Sequence, residues 1–127
     1  MSTLNVGTVQ SVSSGLPLFK NSSGTEKGQL VKAWCKWHTS GGASIDDSFN
    51  VSSVSDNGTG KSFVNWSNNF SNDDYAVVSS GQEDSGGGGR MCIPKSPATN
   101  RSEFEFRNTS NSLRDAINLW CIAIGDN

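Results

Sequence analysis

The residues whose chemistry could support catalysis are few, and their spacing does not bring them together. His38 is the only histidine, and it follows Cys35 by three positions. On an extended strand, residues 35 and 38 point to opposite faces and lie about 10 Å apart, at about 3.3 Å per residue. A cysteine nucleophile needs its base within hydrogen-bond reach. The sequence therefore predicts a histidine near a strand end, and it predicts no enzyme.

Carboxylates occur in adjacent pairs that could bind Ca²⁺ or support glycoside hydrolysis. The pairs are Asp46 with Asp47, Asp73 with Asp74, and Glu83 with Asp84. Either role needs carboxylates that converge on one cleft or one ion. These pairs lie in or beside predicted turns, where Asp commonly hydrogen-bonds the local backbone. We expect no metal site and no cofactor.

Three cysteines, Cys35, Cys92 and Cys121, are widely spaced and form no CxxC motif. This pattern argues against a zinc site or a disulfide framework. Cys35 and Cys121 each lie in an apolar run beside a tryptophan, where a reduced cysteine behaves as a small hydrophobic residue. Buried thiols are the favoured interpretation, and one disulfide with one free thiol is the alternative.

Composition places the chain among single-domain globular proteins rich in turns. It has 127 residues, 33% of them hydrophobic and 17% charged, with a net charge of −2. No charge block or basic stripe supports binding to nucleic acid or to a membrane surface. The first ten residues lack the basic and apolar regions of a signal peptide, so we expect synthesis in the cytoplasm.

The chain changes character near residue 28. Residues 1–28 are rich in Ser and Gly and contain Pro17, which suits an edge or an extended arm. The arm residues expected to anchor it are Leu4, Val6, Val9, Leu16, Leu18 and Phe19. Residues 29–127 are predicted to form an antiparallel β domain.

Short apolar runs separated by turn residues indicate an all-β fold, either a small antiparallel sandwich or a barrel-like domain. A hairpin is predicted around Asp56, Asn57 and Gly58, because Asn-Gly favours tight hairpin turns. Residues 102–108 alternate cleanly between apolar and polar. The run at residues 115–125 is predicted as a strand, with a short helix as the alternative.

Large side chains are predicted both in the core and at an interface. Core candidates in and after the hairpin are Phe49, Val51, Phe63 and Tyr75. Candidates for interface or ligand contacts are Trp34, Trp37, Trp66 and Trp120. Trp34 shares a strand face with Lys32 and Lys36, so it is the tryptophan most expected at a surface contact.

Three segments together carry a family resemblance: "FKNSSGTEKGQLVKAW", "DSFNVSSVSDNGTG" and "SNDDYAVVSSGQ". They resemble a recurring module of small virion proteins in tailed phages, especially marine ones, often described as tail fibre-like. The resemblance implies a structural protein of the virion and lends no catalytic residues.

The expected function is therefore a short tail fibre-like appendage, with a capsid decoration protein as the alternative and a carbohydrate-binding module as the third hypothesis. We expect a homo-oligomer, most simply a trimer, because the chain has a thin core and an arm that cannot fold alone. The arm is expected to bind another virion protein by strand addition. A host-surface glycan is a candidate ligand.

Overall fold

Strands form throughout this chain because apolar and polar side chains alternate over short segments bounded by turns. The computed structural model describes residues 5–10, 17, 19–24, 26–28, 30–83 and 91–125. These residues contain ten strands and no helix. The strands are β1 (Phe19–Lys20), β2 (Glu26–Gly28), β3 (Ala33–His38), β4 (Ser44–Phe49), β5 (Val51–Asp56), β6 (Lys61–Trp66), β7 (Ala76–Gln82), β8 (Met91–Ala98), β9 (Arg101–Arg107) and β10 (Asn118–Ile124).

The chain divides into two compact units, residues 1–30 and residues 31–127. In the first unit, β1 and β2 form a two-stranded antiparallel hairpin in which Phe19 lies opposite Gly28. Residues 5–10 are exposed and belong to no strand. The described part of this unit buries little apolar surface.

The second unit is a β-sandwich of two four-stranded antiparallel sheets. Sheet 1 has the strand order β4-β3-β10-β7, and sheet 2 has the order β5-β6-β9-β8. The predicted all-β antiparallel sandwich is confirmed. The helix considered for the C-terminal run is wrong, because residues 118–124 form β10, which pairs with both β3 and β7.

The core lies between the two sheets and is built from alternate residues of the central strands. Trp37 of β3 packs edge-on against Phe104 of β9, with ring centroids 5.1 Å apart. Phe104 and Phe106 both face the core, as the alternation of residues 102–108 predicts. The Trp37 indole donates a hydrogen bond to the Ser62 hydroxyl of β6 at 3.0 Å, which links the two sheets inside the core.

A second aromatic group closes one end of the core. Trp66 contacts both Phe70 and Tyr75, whose rings stack with centroids 4.0 Å apart. The Tyr75 hydroxyl donates to the carbonyl of Arg101 at 2.9 Å and accepts from the Trp66 indole at 3.3 Å. Burial raises the pKa of Tyr75. Tyr75 is therefore a core residue, as predicted.

The predicted hairpin between β5 and β6 is present, but its connection is longer than a tight two-residue turn. Residues 57–60 connect the strands, and positive φ occurs at Gly58 (93°) and Gly60 (67°) rather than at Asn57. The backbone N–H of Gly58 donates to the Asp56 carboxylate at 2.7 Å, which shapes the turn.

Two predicted core residues lie on outer surfaces instead. Phe49 is 49% exposed. Phe63 points away from the core because its neighbours Ser62 and Val64 occupy the inward positions of β6, and its ring lies 4.2 Å from the Arg101 guanidinium. The small polar Ser62 is inward because it accepts the Trp37 hydrogen bond.

Candidate functional site

The most distinctive surface of the second unit is the outer face of sheet 1, where four apolar side chains form a row across all four strands. Phe49 of β4 lies opposite Trp34 of β3. Trp34 lies opposite Ile122 of β10, and Ile122 lies opposite Val78 of β7. Successive residues of a strand point to opposite faces, so residues in register across a sheet share a face. The row is therefore continuous.

Two further outward residues of β10 widen this row into a patch. Trp120 lies opposite Ser80, and Ile124 lies opposite Ala76. We call the patch the apolar face; its members are Trp34, Phe49, Val78, Trp120, Ile122 and Ile124. Most of these side chains remain substantially in contact with water, up to 66% exposed at Val78. A large contiguous apolar patch of this kind typically marks an interaction surface.

A shallow groove of about 250 Å³ runs along the β7 and β10 side of the apolar face. Its lining residues are Val78, Ser79, Ser80, Trp120, Cys121 and Ile122. Ser80 lies opposite Trp120 in the cross-strand register, so the two side chains share the outer face. The groove therefore offers a flat aromatic surface with a hydroxyl at its border.

Charged residues border the apolar face toward the C-terminal end of β3 and the N-terminal end of β4. Lys36 pairs with Asp46 at 3.4 Å, and the His38 Nδ1 is 2.9 Å from the Asp46 carboxylate. The hydrogen bond from His38 lowers the pKa of Asp46, and Lys36 adds to this effect. Asp47 lies opposite Lys36 in the register. The border therefore carries both signs of charge.

The outer face of sheet 2 carries two apolar side chains, Phe63 and Met91, and a cluster of ion pairs. Its centre is Glu105, whose side chain is only 8% exposed and lies among three cations. Its carboxylate accepts bonds from Arg107 at 2.7 and 3.0 Å, and it lies 3.5 Å from Lys61 and 4.0 Å from Lys95. The Arg107 hydrogen bond is the main reason that the pKa of Glu105 is lowered.

The four predicted interface tryptophans divide between the core and the surface. Trp37 and Trp66 are 0% and 4% exposed and belong to the core, so neither can line a surface site. Trp34 is partly buried and Trp120 is 37% exposed, and both lie on the apolar face. The prediction that Trp34 shares an outer face with Lys36 agrees with the register, whereas Lys32 is buried.

The predicted arm residues fall partly within the described chain. Val6, Val9 and Phe19 are 49%, 64% and 51% exposed. Leu4, Leu16 and Leu18 lie outside the described residues.

The cysteines and the histidine do not form a reactive site. Cys35 points into the core and His38 points outward, where its partner is Asp46. Cys35, Cys92 and Cys121 are free, buried thiols. Burial raises the pKa of Cys35 to about 12 and that of Cys92 to about 11, and it raises the pKa of Cys121 as well. Thiols held in the protonated form are poor nucleophiles.

Neither a metal-binding cluster nor a membrane-spanning helix is present within the described residues. No group of three or more His, Cys, Asp or Glu side chains is placed to hold a metal ion there. The same part of the chain contains no helix long and apolar enough to cross a membrane.

The chain matches no protein-family model, no curated protein and no solved structure.

Four members of the apolar face were not singled out from the sequence as surface contacts. Val78, Ile122 and Ile124 lie in runs in which neighbouring residues are also apolar, and the sequence predicts Phe49 in the core. A continuous apolar run does not show which alternate residues face inward. The signal that could have found them is the presence of apolar residues on both faces of the same strand, most clearly in β10.

Proposed function

We propose that this chain is a structural protein of a tailed-phage virion, most simply a short tail fibre-like appendage, whose second unit is completed by apolar contacts with other protein. The apolar face carries this proposal. A freestanding soluble domain normally keeps large side chains such as Phe49, Trp120 and Ile122 out of a single exposed patch. A subunit of a larger assembly buries such a patch when it assembles.

The contrast between the two outer faces supports the same role. Sheet 2 presents ion pairs centred on Glu105, which suit contact with solvent. Sheet 1 presents the apolar face on the other side of the same core. The two outer faces of the sandwich therefore differ, as in a subunit that buries one face in an assembly and exposes the other to water.

The first unit has the properties of an attachment segment. Its described strands are only two and three residues long, and Val6, Val9 and Phe19 are exposed. An extended segment of this kind can add a strand to the exposed sheet edge of another protein. We propose that it anchors the chain to another virion protein. The sequence resemblance to tail fibre-like virion proteins is consistent with this assignment.

The decisive experiment is to locate the protein on an intact particle. Virions from an infected culture are purified on a density gradient, and the chain is quantified by mass spectrometry and located with gold-labelled antibody. We expect it to co-purify with particles at low copy number and to be labelled at the tail. Labelling spread over the head at much higher copy number would instead identify a capsid decoration protein, and absence from washed particles would contradict a virion role.

One observation favours carbohydrate binding as a second candidate function. The exposed Trp120 ring, the neighbouring Ser80 hydroxyl and the partly buried Trp34 lie on one face, and aromatic rings with adjacent hydroxyls suit the stacking of sugars. A glycan array with the intact protein and with Trp34→Ala and Trp120→Ala tests it. Binding that both substitutions abolish would support this function, and no binding to any glycan would exclude it.

A further inference from the structure

We propose that the apolar face is covered by further copies of this same chain, with the outer faces of sheet 1 packed against one another around a symmetry axis. The contact makes the proposed function more specific, and its place in a virion rests on that proposed function. It identifies the partner at the apolar face as the chain itself.

The area of the apolar face is appropriate for a specific protein interface. Five of its members, Phe49, Val78, Trp120, Ile122 and Ile124, are 49%, 66%, 37%, 42% and 39% exposed. With roughly 150 to 250 Å² for each large side chain, these five leave roughly 350 to 600 Å² of surface in water. A standard interface buries about 800 Å² on each partner, of which a little more than half is apolar. The apolar area that a stable contact needs is therefore close to the area that this face supplies.

The geometry of the face suits packing of sheet on sheet. The row from Phe49 to Val78 crosses four strands, and the pairings of β10 with β3 and β7 contain no register shift. The irregularity in sheet 1 lies between Lys36 and Trp37, beyond this row. Two regular sheet faces pack about 10 Å apart with interdigitated side chains. The apolar face can thus form one half of such a layer.

The charges at the border are compatible with a second copy of the same surface. A two-fold contact places the same patch on both subunits, and a three-fold axis brings neighbouring parts of that patch together, so a border with a single sign of charge would repel its own copy. Here Lys36 lies beside Asp46 and Asp47. Among the described residues, Asp47 accepts only a local hydrogen bond, from the Ser48 N–H at 2.8 Å. Asp47 of one copy can therefore pair with Lys36 of the next.

The first test is the mass of the full-length protein in solution, measured by light scattering after size exclusion at several concentrations. We expect two or three times the chain mass of 13.5 kDa. Val78→Asp and Ile122→Ser are expected to weaken self-association at least about a hundredfold, because residues central to an interface dominate its stability. Circular dichroism establishes that each variant is folded, and two variants are used in case one of them is not.

Met91→Asp provides the matched control. Met91 is also an exposed apolar strand residue, 55% exposed, but it lies opposite Arg107 on the outer face of sheet 2. The same apolar-to-acidic change there should leave the mass unaltered. If Met91→Asp dissociated the protein and Val78→Asp did not, the assembly would use the other sheet and the proposal would be wrong.

A second measurement reports on the covered face directly, at a protein concentration at which light scattering shows the cysteine variant to be assembled. The three native thiols are buried, so a cysteine introduced at Ile122 or at Met91 should be the principal reactive thiol. We expect maleimide labelling of Ile122→Cys to be at least about tenfold slower than that of Met91→Cys in the assembled protein, and equally fast after dilution to single chains.

The remaining outcomes each overturn the inference. A single-chain mass at every concentration, with fast labelling at Ile122→Cys, would leave the face open to a different partner, and Trp120-dependent glycan binding would identify carbohydrate as that partner. Slow labelling at Ile122→Cys in a single chain would mean that the same chain covers the face. If such a monomer is nevertheless found in washed virions, the proposed function stands and only self-association fails.

Discussion

At the scale of single residues, the hydrogen bond between Trp37 and Ser62 is the clearest link between sequence and stability. Both residues are almost completely buried, on facing strands of the two sheets. Buried polar groups are costly when they lose their partners. Ser62 is therefore suited to this apolar core because its hydroxyl accepts the hydrogen bond of the Trp37 indole.

Removing that hydroxyl should destabilise the protein. Ser62→Ala leaves the Trp37 N–H buried without this acceptor and is expected to lower the free energy of unfolding by about 1 to 3 kcal/mol. Urea denaturation followed by tryptophan fluorescence measures the change. Ser96→Ala, at an exposed position of β8, should change it by less than about 0.5 kcal/mol, and equal effects of the two substitutions would contradict this role for Ser62.

Glu105 gives the fold a dependence on pH. Because its cationic neighbours lower its pKa in the folded protein below the ordinary 4.5, the unfolded chain binds a proton more readily. The stabilisation is fully present above pH 4.5 and is lost as the pH falls through the lower, folded-state value. We therefore expect the free energy of unfolding to decrease as the solution is acidified below pH 4.5.

A matched pair of variants isolates this contribution. Glu105→Gln should be less stable than the natural protein at neutral pH and should lose less stability on acidification, in urea titrations at several pH values. Glu103→Gln changes the neighbouring outward residue of β9, which lies opposite Phe63 rather than a cation, and it should retain the natural pH dependence. An unchanged acid slope in Glu105→Gln would assign the effect to other carboxylates.

At the scale of elements, Asn50 forms the corner at which the chain passes from sheet 1 to sheet 2. It joins β4 to β5 with a φ of 58°. Its side-chain amide donates to the carbonyls of Lys32 and Asn68 at 3.1 and 3.2 Å, and its oxygen accepts from the Asn68 N–H at 2.7 Å. Asn is suited to this corner because it tolerates left-handed backbone geometry and bonds locally.

Two substitutions separate those properties. Asn50→Gly keeps the backbone geometry accessible but loses the side-chain hydrogen bonds, whereas Asn50→Ala loses both. We expect losses of about 1 to 2 kcal/mol for Asn50→Gly and about 1 kcal/mol more for Asn50→Ala, measured by thermal or urea denaturation. If Asn50→Ala were the more stable of the two, left-handed strain would not matter at this corner.

At the scale of the whole molecule, the two outer faces determine how the sandwich meets its surroundings. Sheet 2 satisfies its polar side chains with one another, and the apolar face of sheet 1 is largely exposed among the described residues of the second unit. Burial of apolar area contributes roughly 25 cal/mol for each Å² removed from water. A large part of the stability of the working protein should therefore come from assembly.

Heat denaturation of the natural protein should depend on protein concentration. When folding and association are coupled, the melting temperature depends on protein concentration. We expect Tm to rise by several degrees across a hundredfold increase in concentration, measured by calorimetry. Val78→Asp should melt at a lower temperature with no dependence on concentration, while Met91→Asp should behave like the natural protein. A Tm independent of concentration in the natural protein would show that the apolar face adds nothing to stability by self-association.

Local sequence patterns are enough to predict the fold class and most of the strands. Alternation at residues 102–107 placed Phe104 and Phe106 in the core, and the Asn57–Gly58 pair located the hairpin. Cys35 and His38 are three residues apart on one strand and therefore point to opposite faces, which excludes their direct contact. These features are local, because each depends on residues that are neighbours along the chain.

Where both faces of a strand are apolar, the packing of the whole sandwich determines which face turns inward. In β10, the smaller set of Leu119, Cys121 and Ala123 lies in the core, and the larger Trp120 and Ile122 face outward. The core has a fixed volume, and Trp37, Phe104 and Phe106 from other strands already fill much of it. The inward side chains of β10 must therefore be small. Its larger apolar side chains face outward and form part of the apolar face.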